Sequence, residues 1–275
     1  MDNDIKLTCV TAVYNAISSG NEGNLIRCVE SVAKINIPHE HLIYDGGSDD
    51  GSVALLRELE QKFPTLRVVS EKDTGIYNAL NKGVRDAKGK WFFVLGCDDY
   101  IFNSEEIVCA VEVGDKCHSD MVGSLACGGS PDNIVLEGRK RLFCGSPYSH
   151  QGILMNTNMV RKLGGFDERY KIAADFDLMQ KAFFGGFSVV EYMRAYCCDG
   201  LLGVSSDAIK ANQEKDCVII NRFGLIGKEV EQLQESRIIP FRIIRSYLFS
   251  KFTVVRIAAW YQLLRIVAHK CGLLK

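Results

Sequence analysis

The sequence predicts an α/β chain with a mostly parallel central sheet flanked by helices, and three observations carry that prediction. Short apolar runs alternate with helix-spaced segments of about three turns through residue 126, the pattern of βαβ units. Acidic residues stand just beyond two of the runs: Leu42-Ile43-Tyr44 leads into Asp45, and Trp91-Phe92-Phe93-Val94-Leu95 leads into Asp98 and Asp99. A carboxylate at the carboxyl end of a parallel strand sits where open α/β sheets bind ligands. The chain of 275 residues, 47% hydrophobic, can also bury a large core as one domain or two small ones.

The elements follow in order. Ile5 to Tyr14 is a β-branched, apolar strand. Asn24 to Lys34 places Leu25, Val29 and Val32 on one helical face. His41 to Tyr44 is a second strand, and Ser52 to Phe63 an amphipathic helix stopped by Pro64. Leu66 to Val69 is a strand, Ile76 to Ala87 a helix and Trp91 to Leu95 the fourth strand. Ser104 to Cys117 is a helix opened by a cap at Asn103 or Ser104, and Met121 to Ala126 is another strand. Gly128-Gly129-Ser130-Pro131-Asp132-Asn133 breaks the alternation. Short strands and a helix near Phe176 to Phe184 follow, completing the same sheet.

Composition excludes several classes. A net charge of −1 lacks the basic excess of a general nucleic-acid binder. No run of about 18 uncharged apolar residues predicts a spanning helix. Met1-Asp2-Asn3-Asp4 lacks a signal-peptide pattern, so a cytoplasmic location is expected. The eleven cysteines are odd in number and irregular in spacing, with no Cys-x-x-Cys pair, and read as reduced thiols packed as small hydrophobes.

Several segments offer chemistry. Two carboxylates at such strand ends can divide the work of holding a nucleotide, one on its base or ribose and one on a divalent metal at its phosphates. Asp45, in Asp-Gly-Gly-Ser-Asp-Asp-Gly-Ser, can accept from a base imide or ribose hydroxyl, while Asp49, Asp50 and Ser52 cap the next helix. Thr11 and Tyr14 can flank the base, or simply end the first strand. Asp73, Asn78 and Asn81 line one side of a helix, or form a solvated face. Asp98 and Asp99 are hard oxygen donors suited to magnesium or manganese. His150, in Ser-His-Gln-Gly, stands near a strand start and is a candidate for a diphosphate or metal contact. Asp175 and Asp177, two apart, do not share a helix face; one can act as a general base, or both can cap a helix.

In this order, Thr-Ala-Val-Tyr-Asn, Tyr-Asp-Gly-Gly-Ser-Asp-Asp-Gly-Ser, Glu-Lys-Asp-Thr-Gly-Ile-Tyr-Asn-Ala-Leu-Asn-Lys-Gly, Leu-Gly-Cys-Asp-Asp, His-Gln-Gly and Ala-Ala-Asp-Phe-Asp-Leu resemble glycosyltransferase family 2, especially its bacterial surface-polysaccharide branch. The resemblance runs from about residue 5 to residue 192. It implies a GT-A fold with a catalytic domain over 1–205, its nucleotide half about 1–126 and its acceptor half about 127–205. It implies an inverting hexosyl- or N-acetylhexosaminyltransferase that uses Mn2+ or Mg2+ and a nucleotide-sugar donor, UDP-linked above all. The expected acceptor is a glycan or a polyprenyl-diphosphate-linked sugar in exopolysaccharide, capsule or lipopolysaccharide synthesis. Carried across, Thr11, Tyr14, Asp45, Asp73 and Asp98 would hold the nucleotide, Asp99 the metal, and Asp175 would be the base, with Asp177 and His150 as possible diphosphate or acceptor contacts. Cys97 replaces an Asp common in the family's metal motif, and Ala174 replaces the Glu that usually precedes the base. A nucleotidyltransferase would want a Gly-rich basic signature near the first strand, which Ala16 to Gly23 lacks; a non-catalytic sugar-nucleotide binder is the other alternative.

Residues 206–275 read as a helical, basic extension. From Ser236 to Lys275 no Asp or Glu occurs, while Arg237, Arg242, Arg245, Lys251, Arg256, Arg265, Lys270 and Lys275 are interleaved with aromatic and aliphatic residues. This predicts peripheral attachment to the cytoplasmic face of the inner membrane. The competing expectation is a helix pair packed on the catalytic domain or on a second copy.

Overall fold

A computed structural model describes residues 4–135, 142–200, 207–251 and 253–270, with only the backbone described at 134, 135, 199, 253, 254 and 270. Three strands and the helices between them come first: β1 (Leu7–Val13), α1 (Glu22–Val32), β2 (His39–Asp45), α2 (Ser52–Lys62), β3 (Leu66–Ser70) and α3 (Ile76–Asp86). Then come β4 (Trp91–Val94), the short β5 (Tyr100–Ile101), α4 (Ser104–Lys116), β6 (Met121–Gly128) and β7 (Ile134–Val135). A single turn at His150–Gly152 leads into β8 (Ile153–Asn156), α5 (Thr157–Lys162), α6 (Ala174–Phe184) and β9 (Val189–Asp199). Four helices follow: α7 (Ala208–Phe223), α8 (Lys228–Ser236), α9 (Phe241–Tyr247) and α10 (Thr253–Lys270).

The sheet runs β3-β2-β1-β4-β8-β6-β9-β5, with β7 paired to β6. The first four strands are parallel, β8 is antiparallel to both its neighbours, and β6 and β9 are parallel. The chain builds outward from β1 to β2 and β3, then returns to place β4 on the other side of β1. That reversal leaves a crevice beyond the carboxyl ends of β1 and β4, the position where doubly wound sheets bind ligands.

Alternation along the strands builds two cores. Leu7, Cys9, Trp91, Phe93 and Leu95 pack with α1 and α4 residues on one face, while Val10, Phe92 and Val94 pack with α3 and α6 residues on the other. Each fully buried Phe or Leu here contributes roughly 1.5–3 kcal/mol of transfer free energy. Helix ends follow the sequence: Asn103 accepts from the N–H groups of Glu105 and Glu106 at the start of α4, and Asn156 accepts from those of Asn158 and Met159 at α5.

The late helices close over the α6 face. Ile243, Ile244, Leu248, Val255, Ala258, Ala259 and Ile266 belong to the same core as Phe176 and Met179. The rings of Phe143, Phe184, Phe223 and Tyr247 meet with centroids 5.1 to 6.4 Å apart. Three of the basic residues have structural tasks: Arg237 pairs with Asp216, Arg242 with Glu229, and Arg265 donates to the carbonyls of Ser236 and Arg237. These helices therefore do pack on the α6 side of the sheet through their inner sides. Among the described residues ten cysteines are free thiols, and no helix is long and apolar enough to cross a membrane.

Candidate active site

A cleft of about 740 Å³ opens at the crevice. The loops after β1, β2, β3 and β4 bring Tyr14, Gly46 and Gly47, Lys72 and Asp73, and Gly96 to Asp99 to it. From the other side, the turn before β8 contributes His150 and Gln151, and the start of α6 contributes Asp175, with Lys171 and Ile172 in the loop before it. Residues far apart in sequence thus share one wall.

Two sequence candidates lie behind that wall. Thr11 is fully buried, its Oγ1 2.9 Å from Nε2 of His41. Strand alternation turns Thr11 with Cys9 toward α1, so its hydroxyl serves packing and does not reach the cleft. Asp45 is 1% exposed and holds its own loop. Its Oδ2 accepts from the N–H groups of Gly47 and Ser48 (3.0 Å each) and from Ser70 Oγ (2.7 Å), and its Oδ1 from Ser48 Oγ. A carboxylate with this many donors shapes Gly46–Ser48 from beneath.

The loop it shapes does meet the cleft. Gly47 has φ +86°, the left-handed region that favours glycine, and a Cβ on Gly46 would approach Asp73 Oδ2 to 2.9 Å. Asn15 Oδ1 accepts from Asp49 N–H and Asn15 N–H donates to Ser48 Oγ, tying the β1 and β2 loops together. Asp50 accepts from Ser18 N–H and from the N–H and Oγ of Ser52, fastening the start of α2. Tyr14 stands at the rim, 66% exposed.

Asp99 is 2% exposed, yet lines the cleft. Its Oδ2 accepts from Gly96 N–H (2.9 Å) and Gln151 Nε2 (3.0 Å), its Oδ1 from Gly200 N–H (2.9 Å), and His150 Nε2 lies 3.7 Å from Oδ2. Burial pushes its pKa upward, but the imidazole, the Gly200 N–H and the Gln151 amide outweigh that and hold it below the usual carboxylate range. Asp98 lines the cleft beside it. Among the described residues no group of three or more His, Cys, Asp or Glu side chains forms a metal cluster. One or two carboxylates completed by substrate phosphates is the usual manner of holding Mg2+, so the donor chemistry of Asp98 and Asp99 fits a hard cation.

Asp175 is the second residue of α6, its side chain 26% exposed. Its Oδ2 lies 4.0 Å from His150 Nδ1. Tyr77 donates to the Ile172 carbonyl at 2.6 Å and sits 3.5 Å from Asp175 Oδ1; burial, then the Asp175 charge, hold that phenol far above its usual pKa and therefore protonated. Asp177 takes no part. Two residues turn a helix by about 200°, and Asp177 faces α7, ion-paired to Arg222 at 2.9 Å and Lys181 at 2.7 Å. That pairing holds its carboxylate outside the cleft lining.

Several residues escaped sequence reading. Glu214, on α7, accepts from the N–H groups of Lys171, Ile172 and Ala173 at 2.7 to 3.0 Å, fixing the loop that feeds Asp175 into α6. Glu168 accepts from Thr74, Asn78 and Asn81, and Asn81 also exchanges bonds with the backbone of Phe166. The asparagines of α3 thus clamp a loop at the cleft. Lys72 and Lys171 bring positive charge to the cleft lining, and Gln151 holds Asp99.

Residues 8–108 match the profile described as Glycosyl transferase family 2. A PGL/p-HBAD biosynthesis glycosyltransferase of Mycobacterium tuberculosis is 27% identical over 180 residues, 60% of this chain and 67% of its own. Chondroitin synthase of Escherichia coli is 25% identical over 223 residues, 76% of this chain but 31% of that protein. Among solved structures, S. aureus TarS 1–349 in complex with UDP-GlcNAc has a TM-score of 0.62 at 16% identity, covering 98% of this chain and 92% of that one. The mannosyltransferase PcManGT from Pyrobaculum calidifontis, in complex with GDP-Man and Mn2+, gives 0.60 at 15% identity, covering 98% and 88%. Against a longer TarS chain the match spans 44% of its length. At these identities the solved structures share the fold.

Proposed function

We propose that this chain, which belongs to glycosyltransferase family 2 and has the GT-A fold, inverts the anomeric centre of a nucleotide-linked sugar as it transfers that sugar to an acceptor hydroxyl. The observation that carries this reading is the shared wall: Asp99, His150 and Asp175 face one another across 3.7 and 4.0 Å within one cleft.

Tyr14, Asp73 and the Gly46–Gly47 turn form the rim on which the nucleoside rests, with Asp45 shaping that turn from below. UDP is the favoured nucleotide, in keeping with the UDP-GlcNAc bound by TarS. Asp98 and Asp99 would hold a Mn2+ or Mg2+ ion, which when bound neutralises charge on a departing diphosphate. Lys72 and Lys171 add positive charge to the same lining. Asp175 accepts the proton of the acceptor hydroxyl as its oxygen attacks the anomeric carbon, and the bond to the diphosphate oxygen breaks on the opposite side. One displacement turns an α-linked donor into a β-linked product. The sugar transferred is a hexose or an N-acetylhexosamine, and the acceptor is a hydroxyl of a glycan or of a polyprenyl-diphosphate-linked sugar in the synthesis of a bacterial surface polysaccharide.

The test is nucleotide release. Incubated with Mn2+ and a panel of UDP-, GDP- and dTDP-sugars, the wild-type protein should release nucleoside diphosphate from at least one, and Asp99→Ala should abolish release. Absence of turnover with every donor, or equal turnover by Asp99→Ala, contradicts the reading.

A further inference from the structure

We infer that the outer face of α10 seats on an anionic lipid surface, independently of the transferase reading. Val255, Ala258, Ala259, Gln262 and Ile266 are buried against the core. At about 100° per residue these positions occupy one arc of roughly 100°. Ile257, Trp260, Leu264 and Val267 are exposed large apolar residues on the opposite arc, together with Tyr261. That exposed arc spans roughly 120°. The helix is therefore apolar on two sides while having only one core to cover. Leu264 is 66% exposed, and Phe249, in the connection between α9 and α10, is 85% exposed.

Charge decides the occupant. The chain from Ser236 onward carries no Asp or Glu. Arg256 borders the apolar arc on α10, and Arg245 on α9 and Lys251 before α10 are also exposed. An apolar stripe carrying Trp and Tyr, on a segment whose only charged side chains are cations, matches the boundary between acyl chains and anionic headgroups. No described helix is long and apolar enough to cross a bilayer, so α10 lies along the surface.

The protein has its own reporter. Trp91, the other of its two tryptophans, is fully buried, so a change in emission on adding vesicles reports Trp260. With the full chain and vesicles of phosphatidylcholine mixed with phosphatidylglycerol, we expect co-flotation and a blue shift, both absent with phosphatidylcholine alone. Arg245→Gln and Arg256→Gln should each weaken partitioning about fivefold, and Leu264→Glu should abolish it while turnover of a soluble acceptor is unchanged. Failure of the wild-type protein to float or shift with anionic vesicles overturns the inference, a readout that needs no variant. A dimer that Leu264→Glu dissociates, without vesicle binding by either protein, overturns it in favour of a second copy of this chain.

Discussion

The Nδ1 of His150 stands 4.0 Å from Oδ2 of Asp175, while the same ring turns its Nε2 toward Asp99 at 3.7 Å. One imidazole thus spaces the two carboxylates on which the proposed chemistry depends. Both distances exceed a hydrogen bond but suit charge coupling or a bridging water. His150→Ala should leave the fold intact and lower kcat about a hundredfold, the scale of effect expected when reacting groups are misplaced by about 1 Å. Steady-state kinetics with kcat and KM resolved separately check this; unchanged kcat would assign the ring a packing role.

Glu214 acts at one remove from the cleft. Its carboxylate gathers three consecutive backbone N–H groups ahead of Asp175. Glu214→Ala should cost about 1–3 kcal/mol in urea unfolding, the penalty of leaving polar groups unsatisfied. It should also lower kcat more than donor affinity, and Glu214→Gln, which keeps one acceptor oxygen, should recover part of both. Loss of stability without any change in kcat would make the contact purely structural.

Asp177 provides the contrast. Its carboxylate is buried while Arg222 and Lys181 stay partly exposed, so Asp177→Asn should destabilise the protein by about 1–3 kcal/mol. At a temperature where the variant is still folded, transfer per folded molecule should match wild type. Calorimetry together with activity measurements distinguishes the two effects.

Acid should weaken the β1–β3 part of the sheet through His41. Burial, followed by the neighbouring His39, lowers its pKa from 6.5 to about 3, so the folded protein keeps the ring neutral. The unfolded chain takes up a proton as pH falls below 6.5. The contribution is therefore intact above 6.5 and is lost progressively between 6.5 and about 3. Between pH 7.5 and 4.5, wild type should lose about 3 kcal/mol more than His41→Gln in urea unfolding. Parallel pH profiles would contradict the assignment.

Much of this arrangement is legible from the residues alone. The β-branched run of β1, the Pro64 stop after α2 and the Asn103 cap are local signals, and each element forms where its signal stands. Asp99 and Asp175 are visible because they follow an apolar strand and open a helix. Thr11 and Asp45 show the limit of that reading: proximity to a strand end does not tell which way a side chain turns. Alternation directs Thr11 to His41, and the short Gly-Gly loop turns back onto the Asp45 carboxylate. β5 and α5 escaped because two and six residues carry too little periodicity. Glu214 escaped because its meaning depends on α7 reaching a loop 41 to 43 residues away in sequence. The poor helix propensity of Asn78 and Asn81 was itself a signal, and Glu168 and the Phe166 backbone explain it.

The proposed transfer is tested most directly at Asp175. With Mn2+, a competent nucleotide-sugar and its acceptor, Asp175→Asn should bind donor with wild-type affinity by titration calorimetry while product formation falls by at least about a hundredfold. Transfer by the folded variant at the wild-type rate would contradict the account.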